Sequence, residues 1–112
     1  GNSSDDVGEL VIKDREMLSN NGIMIVSVAI NKKTKKMLAA PEILTRGFIY
    51  VKDSAELIKE LKEMITNIII NNTRNNYIEY GKVKSSVREE LSKFLIAQTG
   101  NKPMIITVVQ EI

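Results

Sequence analysis

Histidine and cysteine are both absent from the 112 residues of this sequence. Without cysteine, the chain cannot form a disulfide, a thiolate metal site or a cysteine nucleophile. Without histidine, it lacks the usual general base near neutral pH and the commonest ligand for zinc, copper and iron. The carboxylates Asp5, Asp6 and Asp14 show no ligand spacing. We therefore expect no catalytic residue, no metal site and no cofactor in this chain.

Aromatic residues and long apolar runs are also scarce. Aromatic side chains make up 4% of the sequence, so the core must be built mainly from Ile, Val, Leu and Met. No apolar run reaches the length of a membrane span, and no secretory signal pattern is present, so we expect a cytoplasmic protein without a membrane partner. The net charge of +2 excludes a basic surface over the whole molecule, although a local basic patch is compatible with it.

The apolar pattern predicts one domain. Residues 1–8 are small and polar and are expected to be a flexible lead-in, whereas residues 9–112 are expected to form a single domain. Residues 10–18 have an ambiguous period that fits a short strand or a helical turn. The run Ile23–Ile30 has one wholly apolar face and one mixed face, which is typical of a strand inside a sheet.

The rest of the chain predicts two helices between two further strands. The residues after Pro41 predict a strand over 46–51, and Pro103–Ile112 predicts the last strand. A first helix is expected from the capping pattern Asp53 to Glu56 until the asparagine-rich stretch 71–76. A second helix is expected from about Tyr80 or Lys82 to Thr99, with Gly100 following its end.

These elements predict an α+β fold in the order β-β-α-α-β. A small three-stranded, mostly antiparallel sheet should carry both helices on one face. The expected core is the apolar face of Ile23–Ile30 together with one stripe from each helix. The stripe residues are Leu57, Leu61, Ile65, Ile68, Val87, Leu91, Phe94 and Leu95.

Two segments are candidates for contact with RNA or with another protein surface. The loop after the first strand contains four lysines, which either protect a sheet edge in solvent or bind RNA phosphates. Before the expected second strand, Arg46 and Gly47 precede the aromatic residues Phe48 and Tyr50. The candidate contacts are Lys32, Lys33, Lys35, Lys36, Arg46, Phe48, Tyr50 and Lys102.

The stretch Arg46–Val51 has two interpretations. A basic residue, a glycine and two alternating aromatics are typical of the third strand of the RNA-recognition motif, in which such aromatics stack on bases. That fold alternates strands and helices, whereas two consecutive helices are expected here. The other interpretation is structural: Gly47 permits a backbone bend, Phe48 anchors the strand and Arg46 binds carbonyls or a carboxylate nearby.

Nearly the whole chain resembles the C-terminal domain of ribonuclease J. Three motifs in order carry the resemblance. They are Asp14, Arg15, Leu18 and Gly22; then Pro41 with Arg46-Gly47-Phe48; then Lys102-Pro103-Met104-Ile105.

The resemblance implies a non-catalytic end of a larger nuclease. Members of that bacterial family degrade or process RNA, and their zinc-dependent catalytic centre lies in a metallo-β-lactamase and β-CASP body outside this region. The expected partners are therefore the nuclease domains of the same protein and other copies of it. The leading hypothesis is that this domain supports oligomer assembly and nuclease activity; the alternative is direct RNA binding through the lysine-rich loop and the Arg-Gly-Phe segment.

Overall fold

The computed structural model describes residues 21–48 and 54–112. The elements in chain order are β1 (Ile23–Ile30), β2 (Glu42–Arg46), α1 (Ser54–Asn71), β3 (Thr73–Arg74), β4 (Tyr77–Ile78), α2 (Tyr80–Thr99) and β5 (Met104–Glu111). The predicted element over 10–18, residues 49–51 of the predicted second strand and the proposed cap at Asp53 lie outside the described residues.

Strand β1 is the centre of the main sheet, as its two apolar faces predict. The three strands are ordered β2-β1-β5. β2 pairs antiparallel with β1 so that Ile25 lies opposite Leu44, whereas β5 pairs parallel with β1 so that Ile25 lies opposite Ile106. The prediction of a mostly antiparallel sheet therefore needs correction: the sheet is mixed. The segment between β1 and β5 contains both helices, which is long enough for the crossover that parallel strands require.

Both helices pack on one face of this sheet and close the core. The predicted stripes are confirmed at Leu61 and Ile65 of α1 and at Val87, Leu91 and Leu95 of α2, while Leu57 and Phe94 are partly buried at its margin. The sheet contributes alternate residues of β1. These are Met24, Val26, Val28 and Ile30, each at most 3% exposed.

Between the helices the chain forms a second, two-stranded sheet that the sequence analysis missed. The asparagine-rich stretch ends α1, as expected, but it also forms the β3–β4 hairpin. Asn75 and Asn76 have φ values of 51° and 60°, which a two-residue hairpin turn requires at both central positions. Over residues 21–48 and 54–112 the element order is therefore β-β-α-β-β-α-β.

Strand β2 differs most from its predicted position. It begins directly after Pro41 and ends at Arg46, so the Arg-Gly-Phe segment is the exit of the strand and not its entry. Gly47 has a φ of 68°, which turns the chain out of the extended conformation. Phe48 then enters the core and is only 7% exposed.

The bend at Gly47 packs backbone to backbone against Gly22. Gly22 has a φ of 89°, and a Cβ atom there would overlap the carbonyl carbon of Gly47 and the amide nitrogen of Phe48. Position 22 therefore requires glycine for two reasons, a left-handed backbone and the absence of space for a side chain.

Leu91→Ala tests the core. Leu91 is fully buried between the helices and the sheet, so its truncation should lower the free energy of unfolding by about 2–5 kcal/mol. Ile96→Ala on the same helix, at a side chain 47% exposed, should cost about 1 kcal/mol or less. Urea unfolding of both variants measures these losses, and equal losses would show that the buried stripe of α2 is misplaced.

Gly22→Ala and Gly100→Ala form a matched pair that tests the close approach at Gly22. Both glycines have positive φ, but a Cβ atom at Gly100 meets nothing within 4 Å. Gly100→Ala should therefore cost only the backbone strain, about 1–2 kcal/mol. Gly22→Ala should cost a further ~1–3 kcal/mol because of the overlap. A Gly22→Ala loss no larger than that of Gly100→Ala, in the same urea experiment, would contradict the backbone contact.

Candidate functional site

The face of the main sheet opposite the helices carries exposed apolar side chains on both of its outer described strands, Leu44 on β2 and Val108 on β5. We call it the open face. The strand registers arrange it in three rows across β2, β1 and β5. The rows are Arg46, Ile23 and Met104; then Leu44, Ile25 and Ile106; then Glu42, Ser27 and Val108.

The middle row of the open face is entirely aliphatic. Leu44 is 67% exposed, Ile25 and Ile106 are half-buried, and Val108 in the next row is 48% exposed. In the described part of the chain, no helix or strand covers these side chains. Alternation produces this face because every second residue of β1, β2 and β5 points away from the helices.

Charged residues flank this apolar row on β2. Glu42 and Arg46 are exposed, and each lies two residues from Leu44 on the same face of the strand. An opposite pair of charges therefore brackets one exposed leucine at the edge of the sheet.

The lysine-rich loop is a well-defined turn beyond the end of β1. The side-chain oxygen of Asn31 accepts hydrogen bonds from the backbone N–H groups of Lys33 at 2.9 Å and Thr34 at 2.8 Å. The loop is also bonded to the last residue, since the Lys32 N–H donates to the carbonyl of Ile112 at 2.9 Å. The position of these lysines is thus fixed by the backbone, whereas the side chains of Lys32, Lys33 and Lys36 lie in solvent.

Lys35 differs from its neighbours because it pairs with the end of β5. Its Nζ lies 2.7 Å from Oε2 of Glu111, and the Tyr80 hydroxyl donates to the same oxygen. The hydrogen bonds from Lys35 and Tyr80 lower the pKa of Glu111. Burial, reinforced by the adjacent Glu111 carboxylate, raises the pKa of Tyr80 to about 12. Glu111 therefore offsets part of the positive charge of the loop.

The structure does not bring the predicted contact residues into one site. The lysine loop follows the carboxyl end of β1, whereas Arg46 and Lys102 lie near its amino end, beside Ile23. An eight-residue strand separates them, and such a strand is roughly 25 Å long. Phe48 is a correction, because its side chain belongs to the core and not to an exposed face. Tyr50 lies outside the described residues.

Within residues 21–48 and 54–112, no group of three or more acidic residues is arranged to hold a metal ion. In the same ranges, no helix is both long and apolar enough to cross a bilayer.

The pair Glu42 and Leu44 was missed from sequence because the second strand was predicted to begin at Arg46. A signal was present: the stretch after Pro41 alternates polar and apolar residues. The pairing of Lys35 with Glu111 has no local signal, since 76 positions separate the two residues.

The protein-family model of the ribonuclease J C-terminal domain matches residues 10–112 of this sequence. The chain belongs to this family. Ribonuclease J 2 of Streptococcus pyogenes is 39% identical over 112 residues, which is 100% of this chain and 20% of that protein. Ribonuclease J2 of Bacillus subtilis is 38% identical over 107 residues, or 96% of this chain and 19% of that protein. This ribonuclease J C-terminal domain therefore spans about one fifth of the length of the relatives it matches.

Tyr80→Phe tests the cluster at Glu111. With a pKa near 12, Tyr80 stays protonated at pH 11, so the protein and Tyr80→Phe should show nearly equal tyrosinate absorbance there. The stability that this raised pKa contributes is present below pH 10 and is lost as the pH rises through the folded value. Far-UV circular dichroism confirms that both proteins are folded at pH 11. An excess of one full tyrosinate in the unmodified protein would contradict the contact.

Proposed function

We propose that this chain is a non-catalytic accessory domain of a longer, RNA-processing nuclease, and that it associates with a second copy of itself through its sheet. Three observations support the proposal. The chain belongs to a domain family named after ribonuclease J, it matches about one fifth of relatives that carry that name, and its sequence lacks histidine and cysteine. The nuclease chemistry then belongs to the remainder of the longer protein.

The exposed leucine on β2 carries the assembly part of this proposal. Leu44 is 67% exposed, and its apolar row continues across the sheet through Ile25 to Ile106. Single exposed apolar residues are common on monomers, but a contiguous apolar area with polar residues at its rim is typical of a protein interface. Glu42, Arg46 and Gln110 supply such a rim. The apolar stripes of both helices face the core instead, and the exposed aliphatic residues Ile70 and Ile96 lie apart on separate helices.

Direct RNA binding is the second candidate, and the lysine loop is the observation that favours it. Lys32, Lys33 and Lys36 are exposed on a loop of fixed conformation. Each phosphate contact that they make would add about 0.7 to the slope of log affinity against log salt for single-stranded RNA. Two features weaken this candidate: Lys35 is paired with Glu111, and the other predicted cations lie at the opposite end of the sheet.

Leu44→Lys and Ile70→Lys test whether the sheet is the interface. Both replace an exposed aliphatic side chain with lysine, at 67% exposure on the sheet and 61% on α1. Sedimentation equilibrium over a range of concentrations should show that the unmodified chain and Ile70→Lys associate to the same extent. Leu44→Lys should remain monomeric, because the interface would have to bury an unpaired ammonium group.

Association that survives Leu44→Lys, or a chain that is monomeric throughout, would contradict the assembly role. The RNA candidate predicts a different result. The triple substitution Lys32→Gln, Lys33→Gln and Lys36→Gln would weaken the binding of labelled single-stranded RNA and flatten its salt dependence, with no effect on sedimentation.

A further inference from the structure

Strand β2 has a sequence that is complementary to itself. Among the strands that the structure describes, it is an outer strand of the main sheet, with β1 as its neighbour. Its five residues place Leu44 at the centre, Glu42 at one end and Arg46 at the other, all on the open face. Reversing the strand direction exchanges the two charges and leaves the leucine in place.

We propose that two copies of the domain pair antiparallel along β2, with a two-fold axis at Leu44. This proposal rests on the self-association proposed above and specifies its geometry. Residues opposite each other then have positions that sum to 88, so Glu42 of each copy faces Arg46 of the other, and Leu44 faces Leu44. Opposite cross-strand residues have Cβ atoms about 4.5–5.5 Å apart, close enough for direct charge pairing. The two sheets become one continuous six-stranded sheet.

The proposed pairing satisfies the backbone hydrogen-bonding groups of an edge strand. An outer strand presents backbone N–H and C=O groups along its free side, and a second strand satisfies them. A two-fold axis requires the same patch on both copies, and the arrangement of Glu42, Leu44 and Arg46 meets that requirement. The Arg46 guanidinium carries five N–H donors, so it can bind a carboxylate of the second copy and keep contacts within its own domain.

The opposite edge of the sheet does not have this complementarity. Strand β5 carries one charged side chain, Glu111 at its end, and that carboxylate is already bound by Lys35 and Tyr80. Antiparallel pairing of two β5 strands would therefore bring together no opposite charges. Charge complementarity selects β2.

A groove lies beside the start of β2. It has a volume of about 620 Å³ and lies between the residues that lead into β2, Ala40 and Pro41, and Ile58, Lys59 and Lys62 of α1. Two five-residue strands alone bury less surface than stable dimers need, so a reversible, concentration-dependent dimer is expected.

Cysteine cross-linking tests the register, because the chain contains no other thiol. Under oxidised glutathione, Leu44→Cys should form a disulfide-linked dimer, since opposite residues of antiparallel strands have Cα atoms about 4.5–5.5 Å apart and disulfides span 4.4–6.8 Å. Val108→Cys, on the same face and 48% exposed, should remain monomeric. In the paired sheet, two β5 strands are five strand spacings apart, roughly 24 Å.

Exchanging charges provides a second, independent test. Glu42→Arg alone places arginine opposite arginine, and Arg46→Glu alone places glutamate opposite glutamate, so each should raise the dimer dissociation constant by about tenfold or more. An equimolar mixture of the two variants should regain dimerisation, because each mixed dimer contains two opposite-charge pairs. Thermal melts of both variants verify that the domain is folded.

The outcomes separate this proposal from the one on which it rests. If Val108→Cys cross-links and Leu44→Cys does not, or if the mixture fails to associate while Leu44→Lys still abolishes association, the interface is the sheet but the β2 register is wrong. If the unmodified chain never associates, both proposals fail.

Discussion

The placement of β1 between two different neighbours is the constraint on which the rest of this domain depends. Every second residue of β1 from Met24 to Ile30 is nearly inaccessible to solvent. These residues form the sheet side of the core, and both helices pack against them. Because β1 is apolar on its second face as well, the same strand also supplies Ile25 to the side that the helices leave uncovered. A single sequence run therefore buries one face of β1 and leaves the other partly accessible from Ile25 onward, whereas Ile23 is only 3% exposed.

This one-sided layering explains why the sheet, and not the helix layer, is the surface to which we assign assembly. The helices satisfy their apolar stripes within the core, whereas the outer strands leave Leu44 and Val108 exposed. The charges on β2 then favour an antiparallel partner for that surface. Glu42 and Arg46 lie at opposite ends of the strand, so an antiparallel copy places each of them opposite the other charge. At the other end of the sheet, Lys35 and Tyr80 both bind the carboxylate of Glu111, which connects the lysine loop to β5. This pairing reduces the positive charge that the loop offers to RNA.

The elements with strong local signals could be predicted from sequence. The predictions of strand β1, of helix α2 from Tyr80 to Thr99 and of Gly100 at the end of that helix were confirmed. They succeeded because the apolar period and the residues that end a helix are local properties of the sequence. Gly100 indeed ends the helix with a φ of 77° and donates to the carbonyl of Ile96. The family resemblance could also be read from motifs in order.

The errors arose where distant residues or a single backbone angle decide the structure. The RNA-binding interpretation required Phe48 to be exposed, but the chain turns at the positive φ of Gly47 and the ring lies in the core. The parallel pairing of β5 depends on how the helices return the chain to the sheet, which no local pattern encodes. For the same reason, the proposed interface on Glu42, Leu44 and Arg46 emerged only when β2 had its observed bounds.

Amide hydrogen exchange measured at several protein concentrations tests the central claim, that the β2 side of the sheet is a protein interface. If β2 pairs with a second copy, those of its amides that point away from β1 should exchange more slowly as the concentration rises, while amides of the solvent-facing side of α2 should show no dependence. Exchange at β2 that is the same at low and high concentration, in a sample that dimerises, would contradict the account.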